Sequence, residues 1–265
     1  MSSASPLFMC DGVSRHFGPL KAVDCVSLVV DDGEVLGVGG PNGAGKTTLF
    51  DVVTGLTPAT SGRVFFGDRE ITGLGADRIC QEGIARTFQL NAAFETMTVL
   101  ENVQLAAHFG AKPRRLPGLR LGRETRSAAL DALEFVGMAD KAAATVAQLP
   151  VLDRKLLMIG GAIATGPRMI FLDEPVGGLT ASEIDVIIAL VQRLREAGKT
   201  IVVIEHVMRF LLQLSTRVLI MHHGQIIFQG RPENVVDDPV VVDTYLGAGA
   251  TRRLKRFFKE RRADG

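Results

Sequence analysis

The sequence predicts an α/β fold on a mostly parallel sheet, with an antiparallel β segment at the start and a helical insert in the middle. Three observations carry this. Short apolar strands alternate with helical stretches in both halves of the chain, the pattern that sets strands parallel and helices on the faces. A glycine-rich loop, Gly40 to Gly45, falls between such a strand and such a helix. The stretch from about Asn91 to Ala164 is largely helical in character and separates the two α/β halves.

The elements follow in order. Gly12 to Val30 reads as short strands, with Val26, Leu28 and Val30 on one face and a turn at Asp31-Asp32-Gly33. Glu34 to Gly39 is a short apolar strand and Lys46 to Leu56 a helix. Arg63 to Phe66 and Ile84 to Phe88 are strands. Thr98-Val-Leu-Glu101 is a capping box that opens a helix. Lys112 to Arg123, rich in Pro, Gly and Arg, is an exposed loop. Arg126 to Phe135 and Lys141 to Gln148 read as alanine-rich helices. Met169 to Leu172 is a buried strand, and Thr180-Ala-Ser-Glu183 caps a helix that ends near Gly198. Thr200 to Ile204 is a strand and His206 to Leu214 a helix. Val218 to Met221 and Ile226 to Phe228 are strands joined by a His-Gly turn, and no internal repeat is visible.

Composition bounds the function. With 265 residues, 46% of them apolar, the chain can bury a core, so disorder is not expected over most of its length. A net charge of +1 gives no general bias toward nucleic acid. Cys10, Cys25 and Cys80 have neither zinc spacing nor the even count of a disulfide framework, which suits a reducing cytosol. Residues 1–10 lack the basic start and apolar run of a signal peptide, and no run approaches the ~18 apolar residues of a spanning helix. The mean hydropathy of +0.22 fits either a rich core or a surface buried against partners.

Gly40-Pro41-Asn42-Gly43-Ala44-Gly45-Lys46-Thr47 matches the phosphate-binding loop pattern in full. The glycines let backbone N–H groups converge on phosphate oxygens, and the helix N-terminus adds its positive dipole end. Lys46 reaches the β- and γ-phosphates, and the Thr47 hydroxyl binds Mg²⁺. The placement between strand and helix separates this match from a chance glycine-rich turn. The expected ATP-contacting set is Gly40, Pro41, Asn42, Gly43, Ala44, Gly45, Lys46, Thr47 and Thr48. Downstream, Met169-Ile-Phe-Leu-Asp173-Glu174 delivers two carboxylates to the C-terminal end of a strand, where ligands gather in such sheets. Asp173 is placed to hold Mg²⁺ and Glu174 to polarise water as general base. Alone, such a pair is usually a solvated loop; about 130 residues after a phosphate loop it reads as the second half of a nucleotide site.

The phosphate loop, Thr87-Phe88-Gln89, Leu172-Asp173-Glu174-Pro175 and Ile204-Glu205-His206, in that order, resemble the ATP-binding cassette (ABC) ATPases across roughly residues 8–247. The resemblance implies a P-loop NTPase (RecA-like) core at 1–90 and 165–247, an N-terminal antiparallel β subdomain, an inserted α-helical subdomain at 91–164 and a basic tail at 248–265. It further implies that Gln89 senses the metal and γ-phosphate, that His206 contacts the γ-phosphate and that Phe17 stacks on adenine. Taken alone, Gln89 and His206 would be unremarkable structural residues, and Phe17 a strand-end core residue. Gly177-Gly-Leu-Thr180 matches the loop that touches the second cassette. The partners implied are a second ATPase subunit, two integral membrane permease subunits and an extracytoplasmic solute-binding protein, at the cytoplasmic face of the plasma (inner) membrane. Ala85-Arg-Thr-Phe-Gln-Leu90, Met97-Thr-Val-Leu-Glu-Asn-Val103 and Asp243-Thr-Tyr-Leu-Gly247 are similar to the branched-chain amino acid importer ATPases. A soluble repair or translation protein of this family would need a long coiled coil or a second cassette. A P-loop kinase would leave the Gln89 and His206 motifs without a use.

One family motif is missing. Where the resemblance expects Leu-Ser-Gly-Gly-Gln, the chain has Leu149-Pro150-Val151-Leu152-Asp153. Pro150 has no N–H, Val151 and Leu152 add bulk, and Asp153 is expected to bring a repelling carboxylate toward a triphosphate. Ile159-Gly160-Gly161-Ala162 falls inside the next helix, where its glycines permit close packing. The expectation is a heterodimer with unequal sites, whose partner supplies an intact motif; the alternative is an ATP-gated clamp with little hydrolysis. The end of the chain, Thr251 to Gly265, holds seven Lys or Arg against two acids, with Leu254, Phe257 and Phe258 at near-helical spacing. It reads as a frayed, solvated tail, or else as a surface for an anionic membrane or an RNA.

Overall fold

The structure, a computed structural model, describes residues 6–88, 93–110 and 122–263. In chain order the elements are β1 (Phe8–Phe17), β2 (Leu20–Val30), β3 (Val35–Gly39), α1 (Lys46–Val53), β4 (Ser61–Phe66), β5 (Arg69–Glu70), α2 (Ala76–Gln81), β6 (Ile84–Arg86) and α3 (Val99–Phe109). Then come α4 (Arg123–Phe135), α5 (Val151–Ala164), β7 (Met169–Asp173), α6 (Ala181–Glu196), β8 (Thr200–Ile204), α7 (Met208–Leu214), β9 (Arg217–His222), β10 (Gln225–Gly230), the single turn α8 (Pro239–Val241) and α9 (Gly247–Ala263). Contacts divide the chain into two compact units.

The first unit comprises Met1–Val53, Thr57–Thr72 and Val202–Gly265. It holds the antiparallel sheet β2-β1-β4-β5, in which β1 and β2 are long rather than short strands, 10 and 11 residues. Beside it in sequence, β10, β9, β3 and β8 are neighbours in that order, with β3 parallel to β9 and β10 antiparallel to β9. Every residue of β3 is buried, as expected of a parallel strand covered on both faces.

The C-terminal segment corrects the expectation of a frayed tail. α9 is a 17-residue helix whose Leu254 is 8% exposed. Leu254 joins Leu212, Val218, Ile220, Val235, Val236 and Val241 in one apolar cluster, with Phe258 and Tyr245 packed against it. Phe257 lies 5.5 Å from the Arg209 guanidinium, and Lys255 pairs with Asp237 at 2.7 Å. The apolar stripe is therefore spent inside the unit, and what points outward is charge: Arg252, Arg253, Lys255 and Arg256 are exposed.

The second unit comprises Thr54–Leu56 and Gly73–Ile201. Here β6 runs parallel to β7, pairing Arg86 with Phe171. α3, α4 and α5 pack on one another. Both expected capping boxes form, with Glu101 and Glu183 accepting from the Thr98 and Thr180 main-chain N–H groups at 2.8 and 2.7 Å. These bonds hold both carboxyls below their usual range. Residues 141–148 are not a helix. Two short 3₁₀ turns, Ala139–Lys141 and Val146–Gln148, flank a bridge from Thr145 to Thr98, so tertiary pairing overrides alanine's preference. Most of the loop expected at 112–123 lies outside the described residues, and α4 begins at Arg123.

Candidate functional site

In the first unit, the loop after β3 is shaped by what its glycines approach. Gly40 has φ 140°, and a Cβ there would sit 2.2 Å from the Met221 carbonyl oxygen. Gly45 has φ 98°, and its Cβ would sit 2.1 Å from the Ala22 carbonyl oxygen. No L side chain fits either place without moving backbone. The Ala44 carbonyl accepts from Gly224 N–H at 3.0 Å, and Leu49 N–H donates to the Gly45 carbonyl at 2.8 Å, so the loop runs directly into α1. Lys46 is 7% exposed and its Nζ donates to the Gly40 and Pro41 carbonyls at 2.7 and 2.9 Å. The ammonium thus lies folded over the loop that a phosphate would enter.

Three further groups of this unit bear on the site. Phe17 is 47% exposed, which rules out the core reading, and the Arg15 guanidinium covers one face at 4.5 Å from the ring centroid. His206 is exposed, with Nδ1 3.6 Å from a carboxylate oxygen of the fully buried Glu205. That same oxygen accepts from the His206 and Val207 N–H groups at 3.0 and 3.3 Å, fixing the turn that presents the imidazole. The Tyr245 phenol is pushed up in pKa, first by burial and also by the Glu205 charge, with a bond from the Gly40 main chain opposing.

In the second unit, β7 ends at Asp173, which is 5% exposed. Its Oδ2 takes a charged hydrogen bond from Arg86 Nη2 at 2.7 Å, and its main-chain N–H donates to Thr87 Oγ1 at 3.2 Å. Its Oδ1 is buried with no hydrogen-bond partner among the described residues. A buried carboxylate oxygen left open suits a hard cation or a water held by one, so the site fits Mg²⁺. Glu174 follows at φ 48°, unusual for a side chain of its size. Lys155 of α5, 8% exposed, clamps the Glu174 carbonyl at 2.6 Å. Gln89 lies outside the described residues.

The start of α5 corrects one expectation. Asp153 does not reach toward a ligand: it is 5% exposed and bound to Lys141 Nζ through both oxygens, at 2.8 and 2.7 Å. Burial favoured the ion pair over the helix end. Pro150 is the N-cap and supplies no side-chain bond, while Val151 at the tip is 40% exposed. A Cβ at Gly160 would come within 3.3 Å of a Val136 methyl, a tight approach that suits a packing glycine, whereas one at Gly161 would meet Ala106 only at an ordinary 3.7 Å.

The ABC transporter profile matches residues 23–177, more than half of the chain. The chain belongs to the ABC transporter family. Its cassette is 35% identical to the high-affinity branched-chain amino acid transport ATP-binding protein BraF of Pseudomonas aeruginosa, over 91% of this chain and 98% of that one. It is 34% identical to LivG of Escherichia coli K12, over 92% and 99% respectively. A nucleotide-free ATP-binding cassette from an ABC transporter superposes with TM-score 0.84 at 32% identity, covering 92% of this chain and all of the other. A cassette in its ADP conformation gives 0.83, at the same identity and coverage. The cassette is therefore an ATP-binding α/β protein of the ATP-hydrolysing kind, as its motifs imply.

In the second unit, the roles of Arg86 and Lys155 escaped the sequence: they act on Asp173 and on the Glu174 carbonyl, 87 and 19 positions away, and no local spacing marks them.

Proposed function

We propose that this cassette binds and hydrolyses Mg-ATP to power an importer of branched-chain amino acids or related small polar solutes. The observation that carries it is the phosphate loop with Lys46 folded over it, in a chain whose relatives bear names of that transport class. In this reading the loop N–H groups and Lys46 bind the phosphates, and Thr48 adds to that set. Thr47, Asp173 and Gln89 hold Mg²⁺, which neutralises charge on the phosphates when bound. Glu174 takes a proton from the attacking water, its main chain fixed by Lys155. His206, oriented by Glu205, contacts the γ-phosphate, and Phe17 offers its free face to adenine.

The permease partners are supported by a cavity of about 490 Å³ in the second unit. It is lined mainly by apolar side chains, among them Ile84, Phe88, Phe94, Ala106 and Phe109, and Phe94 and Phe109 are more than half exposed. Such a groove fits a short helix from a membrane subunit. Among the described residues no helix is long and apolar enough to cross a membrane itself. Attachment to two permeases at the cytoplasmic face, supplied by an extracytoplasmic solute-binding protein, follows from the reading.

The second ATPase subunit is of a different sequence. Pro150 and Val151 offer neither hydroxyl nor glycine N–H at the start of α5, so an intact motif must come from the partner. In the assembled complex, Lys46→Ala should nearly abolish ATP turnover, while the matching change in the partner costs less; equal losses would overturn the asymmetry. The same Pro150 and Val151 favour the clamp as second reading. Under it, single-turnover hydrolysis in the complex stays near background.

A further inference from the structure

Arg86 stands at a junction that the roles above do not use. Its Nη2 holds Asp173 Oδ2 at 2.7 Å, with both side chains nearly buried, at 6% and 4% exposed. Its Nη1 donates to Thr54 Oγ1 at 3.2 Å. Its guanidinium lies 5.5 Å from the centroid of Phe88, which is 43% exposed. Arg86, Thr54 and Phe88 all line the 490 Å³ cavity. One side chain therefore spans the cavity wall and the carboxylate expected to hold metal. Its backbone is no freer: Thr87 N–H donates to the Phe171 carbonyl at 2.9 Å, and Thr87 Oγ1 accepts from Asp173 N–H. β6 and β7 are thus held in register on either side of the Arg86 side chain.

We propose that Arg86 is a positioning residue that couples occupancy of the cavity to the grip of Asp173 on its divalent metal. The guanidinium neutralises half of what Asp173 offers, leaving Oδ1 open but weakly attractive to a dication. An element entering the cavity displaces Phe88, draws Arg86 with it, and restores full carboxylate charge to the metal. The coupling half rests on the permease reading; the electrostatic half does not. A cation one hydrogen bond from a metal-binding carboxylate lowers its affinity by Coulomb repulsion even in a partly solvated site.

The test is titration of Mn²⁺, as a spectroscopic stand-in for Mg²⁺, into the full chain loaded with ADP, read by electron paramagnetic resonance. In the isolated subunit Arg86→Gln should tighten Mn²⁺ binding roughly tenfold, and Arg86→Lys should restore the wild-type value by returning the charge. Unchanged or weaker binding in Arg86→Gln, with the melting curve intact, overturns the electrostatic half. Should Arg86→Gln fail to fold, Phe88→Ala decides, since it leaves the ion pair in place. It should bind Mn²⁺ like wild type alone but lose the tightening that the permease complex produces in wild type. If Phe88→Ala still tightens, the coupling is overturned. Co-purification with the permease separates the two readings. A chain with Ala106→Trp that assembles normally refutes docking in the cavity, whatever Arg86 does.

Discussion

At the residue scale, the phosphate loop is the part of the site most open to reading, because its chemistry is local. Consecutive N–H groups serve one ligand, so residues adjacent in sequence act together. The structure adds why two of its glycines are obligatory: the Met221 and Ala22 carbonyls stand where a Cβ would go at Gly40 and Gly45. Gly45→Ala should therefore weaken ADP binding by roughly 100-fold, about 2.7 kcal/mol, measured by calorimetry. An unchanged Kd would show that the loop adopts its shape without that constraint. Arg86 and Asp173 lie at the opposite extreme. They are 87 positions apart, and only the parallel register of β6 on β7 joins them. Nothing in the spacing of either strand announces that pair.

At the element scale, helix starts with explicit capping chemistry are legible, and of the two alanine-rich runs Arg126 to Phe135 forms its helix within α4 while 141–148 does not. Thr98 and Glu101 form their box as read, and Thr98→Ala should cost about 1 kcal/mol, seen as a lower midpoint in urea unfolding. Residues 141–148 carry helical propensity but give it up to the Thr98–Thr145 bridge, a partner more than forty positions away. Asp153 misled for a related reason: beside a helix end it suggested a ligand, yet burial gave it to Lys141. Lys141→Ala should leave that carboxylate without its cation and destabilise the fold by on the order of 1–2 kcal/mol, discounted because Lys141 is partly exposed. A variant as stable as wild type would mean that solvent already carries the charge. For α9, the spacing of Leu254 and Phe258 was visible but the cluster that receives them was not. Leu254→Asp should unfold α9 and lower the melting temperature, by about 2–4 kcal/mol of stability. A change confined to vesicle binding would contradict the packing.

For the whole molecule, the sequence and the comparisons agree on an ABC cassette because the family's motifs sit at element boundaries, where sequence pattern and chemistry coincide. Order of motifs identified the class; the solute stays with partners that the cassette does not contain. The central claim is that this chain turns over Mg-ATP through Glu174, using a loop that binds nucleotide independently of it. The most direct measurement pairs ATPase rate with bound nucleotide in the assembled complex, comparing wild type with Glu174→Gln. Turnover should fall by roughly 100-fold or more, while ATP stays bound at wild-type stoichiometry. Turnover that persists in Glu174→Gln, or nucleotide lost along with it, would contradict the claim.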